Sequence, residues 1–196
     1  MHSARGTGRP DPDLDRNADV WIVSAAFGEG PRLGPTLEAV CGEYPNVVVV
    51  DDGSADSTRE VALQHPVWVL RHPVNCGQGA ALQTGIDFAL ARGARIVVTF
   101  DSDGQHRVED VARLVEPVRE GRCDVALGSR FLGSAVDMPR SRWLVLKLGV
   151  LFTRAFSHVA VTDTHNGLRA LSRSAAETIR IRQDRMAHAS EILDLI

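Results

Sequence analysis

The chain has 196 residues, 44% hydrophobic and 24% charged, which is typical of one well-cored globular domain. With 22 basic and 25 acidic residues the formal net charge is −3, which excludes the basic footprint of a nucleic-acid-binding protein. No apolar run reaches the roughly 20 residues that span a bilayer, and we expect a cytoplasmic protein. The three cysteines are odd in number and widely spaced, which argues against a disulfide framework or a zinc site, so we interpret them as packing residues.

Apolar β-branched runs alternate with helical segments along the chain. Residues 1–19 are rich in Arg, Asp, Gly and Pro and predict a disordered lead. The pattern then predicts strands at 20–26, 46–50, 67–70, 95–100 and 123–127, and helices at 31–43, 57–64, 77–92 and from 108 onward. Pro117 is expected to end or bend the last of these helices early. This alternation is typical of βαβ units and predicts an α/β fold.

Three of the predicted strands end in polar loops that contain glycine. The first is followed by Phe27, the second by Asp51 and Asp52, and the fourth by Asp101 and Asp103. Because parallel strands end at the same edge of a sheet, these loops are expected to converge on one crevice. Two carboxylates at i and i+2, followed by Gly and an amide, suit a hard divalent cation that holds a diphosphate. A solvated turn is the alternative interpretation.

A glycine-rich turn at 75–79 precedes the predicted helix at 77–92. Such a turn can bring a phosphate close to the backbone at a helix N-terminus, although an ordinary tight turn has the same composition. Farther along, the basic amphipathic stretch at 140–158 predicts either peripheral contact with a membrane or a solvated helix face. Residues 187–196 have the pattern of a terminal helix.

From Val20 onward the chain resembles the family 2 glycosyltransferases with a GT-A fold, and in particular the branch of dolichyl-phosphate mannose synthase and polyprenyl-phosphate glycosyltransferases. Five segments carry the resemblance in the same order, namely 49–54, 75–82, 100–106, 127–131 and 163–169. It implies one GT-A domain at 20–196, with a Rossmann-like, mostly parallel sheet flanked by helices on both faces. By the same resemblance, the chain ends at Ile196 before the C-terminal end of the family pattern.

The resemblance also implies roles for individual residues. A nucleotide sugar, UDP- or GDP-hexose, is expected to contact Ala26, Phe27, Glu29, Asp52, Asn75, Gly77, Gly79, Asp101 and Ser102. A Mg²⁺ or Mn²⁺ ion is expected on Asp101, Asp103 and Gln105, and the expected catalytic residues are Asp103, Arg130, Arg142, Asp163 and Arg169. Asp52 matches a carboxylate that relatives aim at the base, and its alternative role is to cap the following turn. Ala25, Phe27 and Gly28 depart from the residues more usual in the family, which leaves the base open.

The implied reaction is an inverting, metal-dependent transfer of a hexose to a polyprenyl phosphate. A phosphate monoester is already an anion near neutral pH, so it needs cations such as Arg130 and Arg142 more than a general base. Transfer to a saccharide hydroxyl is the alternative, with Asp163 as the base. Two other classes stay open: a nucleotide-sugar-binding module without turnover, and a haloacid-dehalogenase-like phosphatase in which Asp101 is phosphorylated. Formation of a homodimer also stays open.

Overall fold

The computed structural model describes residues 16–102, 106–128, 167–179 and 181. The strands within these residues are β1 (Val20–Ala26), β2 (Val47–Asp51), β3 (Trp68–Arg71), β4 (Ile96–Thr99), β5 (Val125–Leu127) and β6 (Arg169–Ser172). The helices are α1 (Gly30–Glu43), α2 (Thr58–Ala62), α3 (Gln78–Ala91), α4 (Val108–Arg119) and α5 (Arg173–Thr178). None of these helices is long and apolar enough to cross a membrane. The predicted helical stretches at 140–158 and 187–196 lie outside the described residues.

The strands form one sheet in the order β3-β2-β1-β4-β6-β5. Strands β1 to β4 run parallel to one another, whereas β6 is antiparallel to both β4 and β5. Ala26 lies opposite Asp51 and Val23 lies opposite Thr99, so β1, β2 and β4 end side by side at one edge. Arg169, the first residue of β6, lies opposite Thr99 at the same edge. The predicted mostly parallel α/β sheet is confirmed.

Helices cover both faces of the sheet, as predicted. On one face, Ile22 of β1 belongs to a core with Leu37 of α1 and Val111 of α4. On the other face, Val23 belongs to a second core with Ile86 of α3. Successive residues of a strand point to opposite faces, so a strand covered on both sides is apolar along its whole length. The sequences of β1 and β2 are therefore nearly continuous apolar runs.

The end of α4 and the start of the folded domain differ from the prediction. Helix α4 continues past Pro117 to Arg119. The proline removes only one hydrogen-bond donor, and its position in the last turn limits the damage. At the other end of the chain, Asn17 of the predicted lead donates a hydrogen bond to the Glu43 carbonyl at 3.0 Å, and Asp19 pairs with Arg119 at 2.8 Å. The folded domain therefore begins before Val20.

Candidate functional site

The loops that follow β2 and β4 are held against the end of β1. The backbone N–H of Asp52 donates to the carbonyl of Ala26 at 2.9 Å. The hydroxyl of Ser102 donates to the carbonyl of Ala25 at 3.2 Å, and Ser102 is buried. These bonds bring the acidic loops after two different strands to one place on the sheet edge. The convergence expected from the sequence is thereby observed for the described residues.

Asp52 holds the turn that starts α3. Its Oδ1 accepts hydrogen bonds from the backbone N–H of Cys76 at 2.9 Å and from His72 Nδ1 at 2.7 Å. Its Oδ2 accepts from the backbone N–H of Gly77 at 2.7 Å, and the side chain is 3% exposed. An ionised carboxylate offers about four acceptor positions, so three contacts leave about one for a ligand. Asp52 thus caps the turn before α3, whereas the turn that follows β2 is held by Asp51, which accepts from the Ser54 N–H.

Two nitrogen donors among the described residues hold Asp101, which lies two residues beyond the end of β4. Gln78 Nε2 donates to Oδ1 at 3.3 Å, and His106 Nε2 lies 3.0 Å from Oδ2. The His106 ring packs edge-on against Phe100, with ring centroids 5.8 Å apart, which fixes its orientation. The Asp101 side chain is 27% exposed, so its carboxylate lies at the surface of the edge rather than in the core.

The turn before α3 therefore contacts the acids that follow both β2 and β4. Gly77 donates to Asp52, and the next residue, Gln78, donates to Asp101. Since β1 separates β2 from β4 in the sheet, this turn crosses above the end of β1. A ligand bound beside the turn would meet the loops of three strands at once.

Gly167, two residues before the start of β6, lies directly against the carboxylate of Asp101. Its carbonyl accepts a hydrogen bond from the Thr99 hydroxyl at 2.7 Å. A Cβ built on Gly167 would overlap the Asp101 carboxylate, which means that only glycine allows this approach. Gly167 therefore lies beside the loop that carries Asp101.

A network of hydrogen bonds joins the β1–α1 loop to the loop after β2. Backbone N–H groups at 28–30 donate to the side chains of Ser54, Thr58 and Asp56 at 3.1, 2.9 and 3.2 Å respectively. The hydrogen bond from the Thr58 hydroxyl lowers the pKa of Asp56, and backbone N–H donors to the same carboxylate add to this. Phe27, just before this network, is 55% exposed. The network fixes the backbone on either side of an exposed aromatic ring at the sheet edge.

The end of β2 carries a second, fully buried acid. Asp51 Oδ1 accepts from the backbone N–H of Ser54 at 2.9 Å, and Oδ2 lies 3.4 Å from Arg71 Nε, an ion pair without hydrogen-bond geometry. Gly53 follows with φ of +76°, and a Cβ there would lie 2.7 Å from the carbonyl carbon of Val74. The β2 loop therefore packs directly on the backbone that precedes the α3 turn.

The structure places the described members of the predicted nucleotide-sugar set on or beside this edge; they are Ala26, Phe27, Glu29, Asp52, Asn75, Gly77, Gly79, Asp101 and Ser102. The hydroxyl of Ser102 bonds to β1, so its predicted ligand contact stays a prediction. Arg169, one of the expected catalytic residues, is the first residue of β6 and is 3% exposed, because β6 pairs with β4 from that residue onward. Asp103, Gln105, Arg130, Arg142 and Asp163 lie outside the described residues.

Sequence reasoning missed four residues of this edge, namely His72, Gln78, His106 and Gly167. His72 follows β3 directly, so the rule that singled out the residues after β1, β2 and β4 applies to it equally. Gln78 and His106 lie inside segments that were recognised, but nothing in the local sequence shows that both point at Asp101. Gly167 carries no local signal of its close approach, which depends on the pairing of β6 with β4.

Comparison with known proteins identifies the family. The sequence pattern of "Glycosyl transferase family 2" matches residues 21–180. A UDP-N-acetylglucosamine–dolichyl-phosphate N-acetylglucosaminyltransferase of Methanococcus voltae is 33% identical, with 89% of this chain and 78% of the relative covered. A polyprenol monophosphomannose synthase of Mycolicibacterium smegmatis is 36% identical, with 89% of this chain and 69% of the relative covered.

The fold is similar to that of a solved glycosyltransferase. Glucosyl-3-phosphoglycerate synthase from Mycobacterium tuberculosis, in complex with Mn²⁺, UDP-glucose and phosphoglyceric acid, matches with a TM-score of 0.66 at 20% identity. The match covers 88% of this chain and 65% of that protein, so the chain spans less than two thirds of its length. At this identity the likeness establishes the fold alone. The chain is a glycosyltransferase of the GT-A fold and belongs to glycosyltransferase family 2.

Proposed function

We propose that this glycosyltransferase moves a hexose from a nucleotide sugar to a polyprenyl phosphate, with inversion and with Mg²⁺ or Mn²⁺ bound. The names of the two relatives share a prenyl-type phosphate acceptor, whereas the sugars differ, N-acetylglucosamine in one and mannose in the other. The acceptor class is therefore the better supported part of the proposal, and the choice between UDP- and GDP-hexose is left to experiment. The main support for the proposed donor site is that residues 77–78, at the start of α3, contact both Asp52 and Asp101.

On the donor side, the base and the diphosphate would occupy opposite ends of this turn. Asp52 has acceptor capacity for an N–H of uracil or guanine, and the exposed Phe27 ring offers an apolar surface for the base. The N-terminus of α3 begins between the two acids, and helix N-termini favour phosphate groups. In this arrangement the sugar that is transferred lies toward Asp101.

The residues at this edge suit a hard divalent cation. Asp101 supplies a carboxylate whose direction is set by Gln78 and His106, in the way that second contacts usually orient metal ligands. Asp103 and Gln105 would add two further oxygen donors, and an all-oxygen set suits Mg²⁺ and Mn²⁺. When bound, such an ion neutralises the negative charge that develops on the departing diphosphate.

On the acceptor side, a phosphate oxygen would attack the anomeric carbon while the bond from that carbon to the nucleoside diphosphate breaks. The predicted role of Arg130 and Arg142 is to hold the acceptor phosphate, for which guanidinium groups are well suited. Arg169 is a candidate to line the acceptor side, and it starts β6 at the site edge, opposite Thr99. Because a prenyl chain lies in a bilayer, the proposal includes peripheral contact with the cytoplasmic face of a membrane.

The test is transfer by the purified full chain, given UDP-glucose, UDP-N-acetylglucosamine and GDP-mannose in turn. Each donor is paired with a prenyl phosphate in detergent or with a saccharide acceptor, with Mn²⁺, Mg²⁺ or EDTA present. We expect lipid-linked product of inverted anomeric configuration by NMR, abolished by EDTA and by Asp101→Asn. The matched control is Asp19→Asn, where the acid directly precedes β1 at the opposite edge of the sheet and pairs with Arg119. Product with saccharide acceptors alone would replace the proposal by its alternative.

A further inference from the structure

A mixed group of side chains lies beside the donor site and outside the predicted metal site. Asp52 follows β2, His72 follows β3, and Cys76 belongs to the turn before α3, yet one potential ligand atom of each lies within 4.8 Å of the others. The cysteines were interpreted as packing residues, but Cys76 is exposed. We propose that Asp52, His72 and Cys76 form a binding site for a thiophilic divalent cation of the Zn²⁺ type.

The hydrogen bonds of His72 prepare one of its nitrogens to bind a cation. The Thr84 hydroxyl donates its proton to the Ala80 carbonyl at 2.9 Å, so its oxygen accepts from His72 Nε2–H at 3.0 Å. Nδ1 then faces Asp52 Oδ1 at 2.7 Å. These two atoms are close enough to share a proton, and a metal ion that binds both would take the place of that proton. Histidines that bind zinc commonly donate their other N–H to a fixed acceptor, which here is Thr84.

Cys76 supplies the ligand that decides which metal binds. Its sulfur lies 3.4 Å from the Val74 carbonyl, at the surface, and a thiolate selects Zn²⁺ over Mg²⁺. The side chains of Asp52 and His72 are 3% and 15% exposed, so two ligands are largely buried and the third faces the solvent. Zinc ligands at about 2.0–2.3 Å from the ion lie roughly 3.3–3.8 Å apart. Binding would therefore widen the 2.7 Å separation of Asp52 Oδ1 and His72 Nδ1 by roughly 0.6 Å and draw the Cys76 sulfur toward both atoms. Three protein ligands leave a fourth position for water.

Occupation of this site would have a consequence for the donor. Since Zn²⁺ would engage the carboxylate that is proposed to face the base, the ion should compete with the nucleotide. This consequence alone rests on the proposed function, whereas the binding of Zn²⁺ does not.

The experiment titrates Zn²⁺ alone into the full chain against a chromophoric chelator, without nucleotide. We expect one ion per wild-type chain, and an affinity that falls by at least about tenfold in Cys76→Ser. Thr84→Val keeps all three ligands and removes only the acceptor for Nε2–H, so it should also weaken binding by about tenfold. Cys123→Ser is the matched control and should bind as the wild type does. Equal affinity in Cys76→Ser and wild type, or an equal loss in Cys123→Ser, would overturn the proposal.

Alkylation followed by peptide mapping provides a second readout on the native protein. Zn²⁺ should slow the modification of Cys76, and Mg²⁺ should not. Cys41 is an internal reference, because burial raises the pKa of its thiol to about 11 and its slow reaction should not change with Zn²⁺. Unchanged labelling of Cys76 in saturating Zn²⁺ would contradict the site. None of these measurements involves transfer, so their failure would leave the proposed glycosyltransferase reaction intact.

Discussion

Replacing Gly167 by alanine should disable the site while leaving the sheet in place. The added Cβ would overlap the carboxylate of Asp101. The Gly167 backbone is tied to Thr99 by a hydrogen bond of 2.7 Å, so the acid is the group that must move, by about 1 Å. A misplacement of about 1 Å at a reacting centre typically costs about 100-fold in rate. This corresponds to about 2.7 kcal/mol of transition-state stabilisation.

The assay compares kcat for transfer to prenyl phosphate, and Mn²⁺ affinity by calorimetry, in Gly167→Ala and wild type. Gly42→Ala is the matched control, because Gly42 lies in α1 and the added Cβ would meet nothing within 4 Å beyond its chain neighbours and the backbone of its own helix. This control should gain up to about 1 kcal/mol of stability from helix propensity and should keep full activity. A folded Gly167→Ala enzyme whose rate stays within about tenfold of wild type would refute the reasoning.

Three further changes have expected outcomes. Gly53→Ala forces a side chain onto a residue with φ of +76° and within 2.8 Å of the backbone at 74–75; urea unfolding should show a loss of about 2–4 kcal/mol. Asp56→Asn removes a carboxylate whose pKa is lowered chiefly by the hydrogen bond from Thr58. The folding stability that comes from this lowered pKa is present above the unfolded pKa of about 3.9 and is lost as the pH falls through the folded pKa. Wild type should therefore lose stability more steeply than Asp56→Asn below about pH 4, and parallel unfolding curves against pH would contradict this. Gln78→Ala removes one donor to the acid after β4 and should weaken Mn²⁺-dependent nucleoside diphosphate binding by about threefold to tenfold in calorimetry, whereas an unchanged affinity would exclude this orienting role.

The fold was largely predictable because its signals are local. The continuous apolar runs of β1 and β2 indicate strands buried on both faces, and the stripe that includes Leu82 and Ile86 indicates the buried side of α3. The antiparallel strand β6 was not predictable in this way. Its direction and position between β4 and β5 depend on pairing between residues far apart in sequence, and the four-residue strand carries no signal of its direction.

The candidate site was predictable as a set of strand ends, but its internal contacts were not. Knowing that β2 and β4 end in acids was enough to expect Asp52 and Asp101 at one edge. That Gln78 and His106 both orient Asp101 depends on side-chain directions that only the folded chain fixes. The cysteine spacing argues against a zinc site, and the cation site proposed on Asp52, His72 and Cys76 carries no such signal, because ligands from separate loops have no regular spacing.

The backbone N–H of Gly128 donates to the Leu168 carbonyl at 2.9 Å, which joins the residue after β5 to the residue before β6. This bond extends the pairing of β5 with β6, in which Leu127 lies opposite Arg169. The acid that follows β4 is thus tied, through Gly167 and β6, to the outermost strand on that side of the sheet. Damage to β5 can therefore lower activity without changing any residue beside the donor.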